Sequence, residues 1–192
     1  DTWLQQLLSA DMYVRTVSGG EQSVLQEPEQ EKIAHLKNIS RTEKTRHFSL
    51  LLNSSKPAVV VIARSINQQA IENSLPLIES SLENVHHPIW FSEAMVVLYG
   101  WKKGQVVQLP FSGILQAFTV AGVWRDYARQ TGSIQMRLDD YQNLTGDKTI
   151  NDMSLWIAAS SNAEEVRQQL QTLAFRSSLE IAEPDEIHQI SM

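Results

Sequence analysis

The 192-residue sequence contains no cysteine, which excludes disulfides, thiolate zinc sites and thiol nucleophiles. Long apolar runs are also missing. The longest, Ala58 to Ala63, suits a buried strand and falls far short of the ~20 residues that span a bilayer. No run of Lys and Arg exceeds two residues, and the net charge is −6, so neither a polybasic membrane patch nor the basic footprint of a nucleic-acid binder is present. Gly-x-Ser-x-Gly, a Walker loop and His-Glu-x-x-His do not occur; Gly100 to Gly104 has neither the spacing nor the ending of a phosphate loop. What remains is a chain with 42% hydrophobic and 20% charged residues, the balance of a folded domain. Because it opens on Asp1 without Met, we expect an excised fragment or a processed product.

The pattern of apolar residues sets the expected elements. A short helix is expected over 2–8, where Trp3, Leu4, Leu7 and Leu8 recur at helical spacing, and Trp3 would suit a membrane interface if that helix continued into lipid. Strands are expected at 11–17, 39–46, 48–52 and 58–62, with a helix over 30–37 after a loop that runs to Pro28. The stretch 67–87 gives mixed signals; Pro76 and the polar run after Glu79 indicate a crossing segment or a linker. Further strands are expected at 89–91, 105–109, 115–123 and 133–136. Between them lie a helix capped by Ser92 and stopped by Gly100, and a helix over 138–144 ended by Gly146. The last unit is a strand over 152–158, a helix opened by a Ser161–Glu164 capping box with Val166, Leu170, Leu173 and Ala174 on one face, and a strand over 179–182. Two βαβ halves around a strand-rich middle predict an α+β fold, a split ferredoxin-like layer with an insertion.

The polar residues offer little chemistry. Adjacent His86 and His87 would point to opposite sides of an extended segment and so would not share a metal. Asp139 and Asp140 sit where a helix dipole favours negative charge, which makes them first-turn residues rather than an acid–base pair. No catalytic, cofactor-binding or metal-ligating residue is assigned, no cofactor is expected, and the chain is not expected to be an enzyme. Core packing is the expectation for Trp90 and Trp156. Trp101 in a turn and Trp124 at a strand end are the candidates for an exposed contact anchor, and the loop 125–132, with Arg125, Tyr127 and Arg129, for a partner-facing tip.

Several stretches are similar to those of a known family. Pro88-Ile-Trp-Phe-Ser-Glu-Ala-Met-Val-Val-Leu-Tyr-Gly-Trp-Lys-Lys-Gly-Gln-Val-Val-Gln-Leu resembles a recurrent strand–Ser-Glu–helix–Gly–strand segment of FtsX-like ABC transporter permeases, with Gln105 where that family usually has Asp. Phe118-Thr-Val-Ala-Gly-Val-Trp-Arg-Asp resembles the strand that follows it there, residues 152–174 its last strand–helix unit, and Leu8-Ser-Ala-Asp-Met-Tyr-Val its first strand after a membrane helix. The resemblance implies a MacB-like periplasmic core domain: a porter-like core from 1–84 together with 149–192, and an inserted strand-rich, sabre-like subdomain over 85–148. It implies a place on the periplasmic or extracellular side of the bacterial cytoplasmic membrane, within an integral membrane protein. It implies a cytoplasmic ABC ATPase as partner through the membrane part, and a periplasmic adaptor, a lipoprotein or a second permease copy outside, with no nucleic acid. The implied function is to pass ATP-driven motion to a substrate or partner. A free-standing module for an apolar or lipid-like ligand is the alternative.

Overall fold

The structure, a computed structural model, describes residues 10–126, 129 and 131–184, with the backbone alone at 68–70. The expected helix over 2–8, with Trp3, lies outside these residues. In chain order the elements are β1 (Met12–Thr16), α1 (Glu27–Ala34), β2 (Ile39–Leu50), β3 (Val59–Arg64), β4 (Pro88–Ser92), α2 (Glu93–Tyr99), β5 (Val106–Phe111), β6 (Ile114–Trp124), β7 (Ser133–Arg137), α3 (Leu138–Thr145), β8 (Asp152–Ile157), α4 (Ala163–Gln171) and β9 (Leu179–Ala182). The chain divides into two compact units, one holding the residues up to Arg46 and from Lys148 onward, the other His47–Asp147. Residues 47–84 thus group with the second unit, since β3 pairs in parallel with β7, Val60 beside Ser133 through Arg64 beside Arg137.

The first unit is a βαββαβ layer. Its strands lie in the order β2-β8-β1-β9, and every neighbouring pair is antiparallel. That is the ferredoxin-like arrangement expected from the two βαβ halves. Met12 and Val14 of β1 stand opposite Leu155 and Met153 of β8 and are fully buried with them; Leu25, Ile33, Val166 and Leu170 are among the other buried apolar residues of this unit. Each helix shows why the sequence signals were nearly sufficient. α1 begins at Glu27, before the expected start, because Pro28 falls in its first turn, where the missing N–H costs no hydrogen bond. The Gln26 backbone N–H donates to Glu29 Oε1 at 2.8 Å. α4 is capped one residue later than expected: Asn162 Oδ1 accepts the Glu165 N–H at 3.0 Å, while Ser161 Oγ donates to the Glu165 side chain. Because the helix ends at Gln171, Ala174 lies beyond it and is exposed. The two expected strands 39–46 and 48–52 are one, since nothing at His47 breaks an extended chain.

The second unit carries strands in the order β5-β6-β4-β7-β3, with parallel pairs β6/β4 and β7/β3 and antiparallel pairs β5/β6 and β4/β7. Residues 67–87 resolve into a 3-10 turn at Gln68–Asn73 and a strap that follows β6. The strap is held where Ile78 N–H donates to Val123 O at 3.0 Å, Leu82 N–H to Ala121 O at 2.8 Å and Arg125 N–H to Pro76 O at 2.9 Å. Beneath it Ile62, Ile66, Ile71, Leu75, Trp90, Ala121 and Trp124 form one apolar cluster. The Trp90 indole N–H donates to Ser81 Oγ at 2.9 Å, so a fully buried tryptophan keeps its hydrogen bond. Gly122 permits this: a Cβ there would lie 3.1 Å from Trp90 Cδ1. The β6 ladder also slips beside it, Ile89 pairing with Val120 and Trp90 with Gly122.

At the other end of this unit, Gly132 has φ +102°, and a Cβ there would sit 2.5 Å from Met95 Sδ. Gly132→Ala therefore combines backbone strain with a clash and is expected to cost about 1–3 kcal/mol, against about 1–2 kcal/mol for Gly122→Ala, where the backbone is relaxed. Urea unfolding of the two variants checks the ranking.

Candidate partner-contact surface

Loop 125–132 joins β6 to β7, and its base is organised by one carboxylate. The Asp126 side chain is only 2% exposed. Its Oδ2 accepts the Ser133 hydroxyl at 2.8 Å, its Oδ1 accepts the Arg129 backbone N–H at 3.2 Å, and the Arg129 guanidinium lies 3.3 Å from Oδ2. The Ser133 N–H in turn donates to Ser92 Oγ at 3.0 Å. This corrects the expected role of Ser92. It occupies the position before α2, but its hydroxyl takes the first amide of β7 rather than capping the helix. Arg125 is half exposed and its Nε donates to Glu93 Oε1 at 3.1 Å.

The candidate contact residues are therefore not equivalent. Arg125 and Arg129 flank the anchored base, while Tyr127 lies outside the described residues. Trp101 is half-buried, with its ring 5.7 Å from Phe91 and 5.6 Å from Tyr99. Trp124 is 6% exposed within the apolar cluster, and its indole N–H has no acceptor among the described residues. The strand-end position suggests exposure, but Leu77 of the strap pairs with Trp124 in an antiparallel bridge and packs against the cluster that holds it. Exposed apolar residues lie elsewhere on this unit: Val96 and Val97 on α2, the latter 86% exposed, Val106 at the start of β5, and Ile114 and Leu115 where β6 begins. The signal for α2 was present in its run Ala94-Met-Val-Val-Leu-Tyr99, too continuous for a helix of which only Met95 is buried. The C-terminus of α2 is met by Lys56, whose ammonium group donates to Leu98 O and lies 4.6 Å from the centre of the Tyr99 ring.

Other polar groups make local contacts. The His86 and His87 rings stack at 3.9 Å instead of pointing apart, because His87, with φ +46°, precedes the strand and turns the pair onto one side, against Phe118. Asp140 makes a fork with Arg137, both contacts at 2.9 Å, in the first turn of α3. Trp156 is half-buried rather than in the core, with the Arg41 guanidinium 4.1 Å above its ring. Among the described residues no group of three or more His, Asp or Glu is placed to hold a metal ion.

In the first unit, Asp152 lies opposite Arg15 on β1, and Arg15 lies opposite Glu180 on β9, with Arg15 NH2 3.1 Å from Glu180 Oε1. Burial raises the Asp152 carboxyl from 3.8 to about 7; Arg15 works against this and Glu180 adds to it. A carboxyl raised in the folded state favours folding while both states are protonated, and that contribution is lost as pH climbs from 3.8 to about 7. Stability measured by denaturant titration is expected to fall across that window, and Asp152→Asn to flatten the fall. For loop 125–132, Asp126→Ala is expected to cost about 1–3 kcal/mol and to admit proteolytic nicking between 126 and 132. Limited proteolysis followed by mass spectrometry reads the site.

No family model matches the sequence, and no curated protein matches it significantly. Solved structures do. The periplasmic region of MacB from Actinobacillus actinomycetemcomitans aligns over 95% of this chain and 92% of its own, at 16% identity and TM-score 0.62. The extracellular domain of the noncanonic ABC-type transporter YknZ from Gram-positive bacteria aligns over 91% and 99%, at 8% identity and TM-score 0.56. The chain has the fold of a MacB-type extracytoplasmic domain. Both structures are matched over nearly their whole length, so the likeness takes in residues of the split first unit and of the inserted second one. No helix among the described residues is long and apolar enough to cross a membrane.

Proposed function

We propose that this chain is the extracytoplasmic domain of an ABC transporter permease, carried outside the cytoplasmic membrane, which passes ATP-driven motion to a substrate or an extracytoplasmic partner. The observation that supports this most is the insertion itself. A ferredoxin-like layer is interrupted between its second and third strands by a unit with its own core, and the chain aligns with 92% and 99% of the domains from two such transporters. In this reading the first unit is the porter-like core and the second the sabre-like element. The ATPase is a separate cytoplasmic subunit reached through the membrane part of the parent protein. The surface that meets a partner belongs to the second unit, around Trp101, Arg125, Tyr127 and Arg129, with the exposed Val96 and Val97 of α2 adjoining Glu93, to which Arg125 is bonded.

Two measurements test the reading. Hydropathy over the parent gene, in a window of ~19 residues, is expected to show apolar spans before and after this segment and further spans beyond one of them; polar flanks on both sides would sink it. In the parent transporter, Arg125→Glu combined with Val97→Asp is expected to reduce output at least tenfold while leaving basal ATP hydrolysis in place. Unchanged output would move the partner surface elsewhere.

A further inference from the structure

β5 is the outermost strand of the second unit, with β6 on one side and no strand on the other among the described residues. The two strands form a hairpin in continuous register, from Val106 beside Thr119 to Phe111 beside Ile114. Its two-residue turn is Ser112-Gly113, with φ +53° and +75°, the left-handed pair of a type I′ turn. In such a hairpin the residues flanking the turn bond to each other, and bonding then alternates along the strands. Phe111, Leu109 and Val107 therefore direct their backbone groups at β6. Gln105 O accepts the Val120 N–H at 2.8 Å, in step with the same alternation. Val106, Gln108 and Pro110 direct theirs outward, so Pro110 stands where its missing N–H costs the β6 ladder nothing.

This edge lacks the charges that keep sheet edges apart. No charged side chain and no histidine occurs from Gly104 to Trp124, in a chain of which 20% is charged and whose net charge is −6. β9, the outer strand of the first unit, has four residues and carries Glu180, the usual protection of an edge. β5 has six residues, with Gln108 at the middle of the outward set and Val106 59% exposed. On the exposed face of the hairpin Leu115, 64% exposed, stands opposite Pro110, and Ala117 opposite Gln108.

We propose that β5 pairs antiparallel with β5 of a second copy of this chain, about a two-fold axis through Gln108. That axis sets the three outward residues of each copy opposite those of the other, Val106 against Pro110 and Gln108 against itself. Gln108 then exchanges both backbone bonds with its mate, and each Val106 N–H donates to the Pro110 carbonyl across the axis. Only Pro110 has no N–H to return. The side chain on the axis is a neutral amide, donor and acceptor at once, which can face its own copy where a Lys or Glu would meet its like. The charge-free hairpin is thus the part of an acidic chain where two copies meet without repulsion. An edge of six residues buries far less than the ~1,200–2,000 Å² of a standard interface, so free chains are expected to pair weakly and reversibly, and more fully where copies are held side by side.

The chain has no cysteine, so a single introduced one reports proximity without background. Gln108→Cys sets two thiols across the axis, where the α-carbons of a hydrogen-bonded pair lie about 5.5 Å apart, within the reach of a disulfide. Oxidation of the 192-residue chain by copper–phenanthroline, with each thiol's rate scaled to its reaction with iodoacetamide, reads the pairing. Disulfide dimers are expected to form about tenfold faster from Gln108→Cys than from Val17→Cys, at a position 56% exposed in the first unit. Adding Pro110→Ala returns the missing N–H and is expected to raise the Gln108→Cys rate by a further factor of ~5. Val106→Cys mixed with Pro110→Cys is expected to give mixed dimers in excess over both like pairs. Equal rates at 108 and 17 overturn the pairing, as does a rate that Pro110→Ala leaves unchanged, or like and mixed dimers in random proportion. If Pro110→Ala disturbs the hairpin, seen as a lowered Tm, the mixed pair still decides. The experiment needs no membrane and the pairing does not rest on the transporter reading, so each stands or falls without the other.

Discussion

The antiparallel pairing of β2 with β8, Thr45 opposite Asp152 and Thr42 opposite Leu155, closes the first unit across the whole of 47–147. Without it β1 would keep β8 and β9 as neighbours, but the layer would lose its fourth strand and the returning chain its register. The closure entropy of a long excursion grows only slowly with length, about 0.6 kcal/mol for each doubling, so an insertion of this size is tolerable. What makes it favourable is that the inserted chain folds on itself and brings its ends back as paired strands. The buried amides of Asn151 and Gln30 sit where this return is made. Satisfied by five carbonyls and a guanidinium between them, they specify the return with directional bonds that an apolar contact would leave free to slide.

In the second unit the corresponding constraint is close packing around Trp90. A Cβ at Gly122 would crowd its Cδ1 at 3.1 Å, and its N–H is met by Ser81 on the strap. The slip in the β6 ladder, the strap over 75–82 and the buried Trp124 lie around the same cluster. Gly132 beneath Met95 plays the same part at the opposite end of β7, where it turns loop 125–132 back into the sheet. The described ends of loop 125–132 are thus held by Asp126 on one side and by a steric limit at Gly132 on the other.

Much of this was legible in order and type. Strand 179–182 was found to the residue; Gly100 and Gly146 were recognised as helix stops because a left-handed residue after a helix leaves a plain mark in sequence. The errors share a cause. Ser92, Ser161 and His87 were each assigned by a local rule, and in each case a partner distant in sequence or an adjacent backbone choice took precedence: Ser133 claimed the hydroxyl of Ser92, Asn162 was one residue better placed than Ser161, and a positive φ turned His87 onto His86. Trp124 was judged from its place at a strand end, where nothing in the sequence announces that residues some fifty positions earlier lie across it.

The sequence by itself determined the alternation of elements, the absence of thiol, phosphate-loop and membrane-spanning chemistry, and the two βαβ halves, because these depend on spacing and composition along a short stretch of chain. Tertiary structure alone decided where the insertion begins, which tryptophan is covered, and which distant carbonyls Asn151 and Gln30 meet. Those outcomes depend on which polar group reaches which carbonyl across separations of a hundred residues. No local pattern encodes such a meeting; it exists only once the strands have paired.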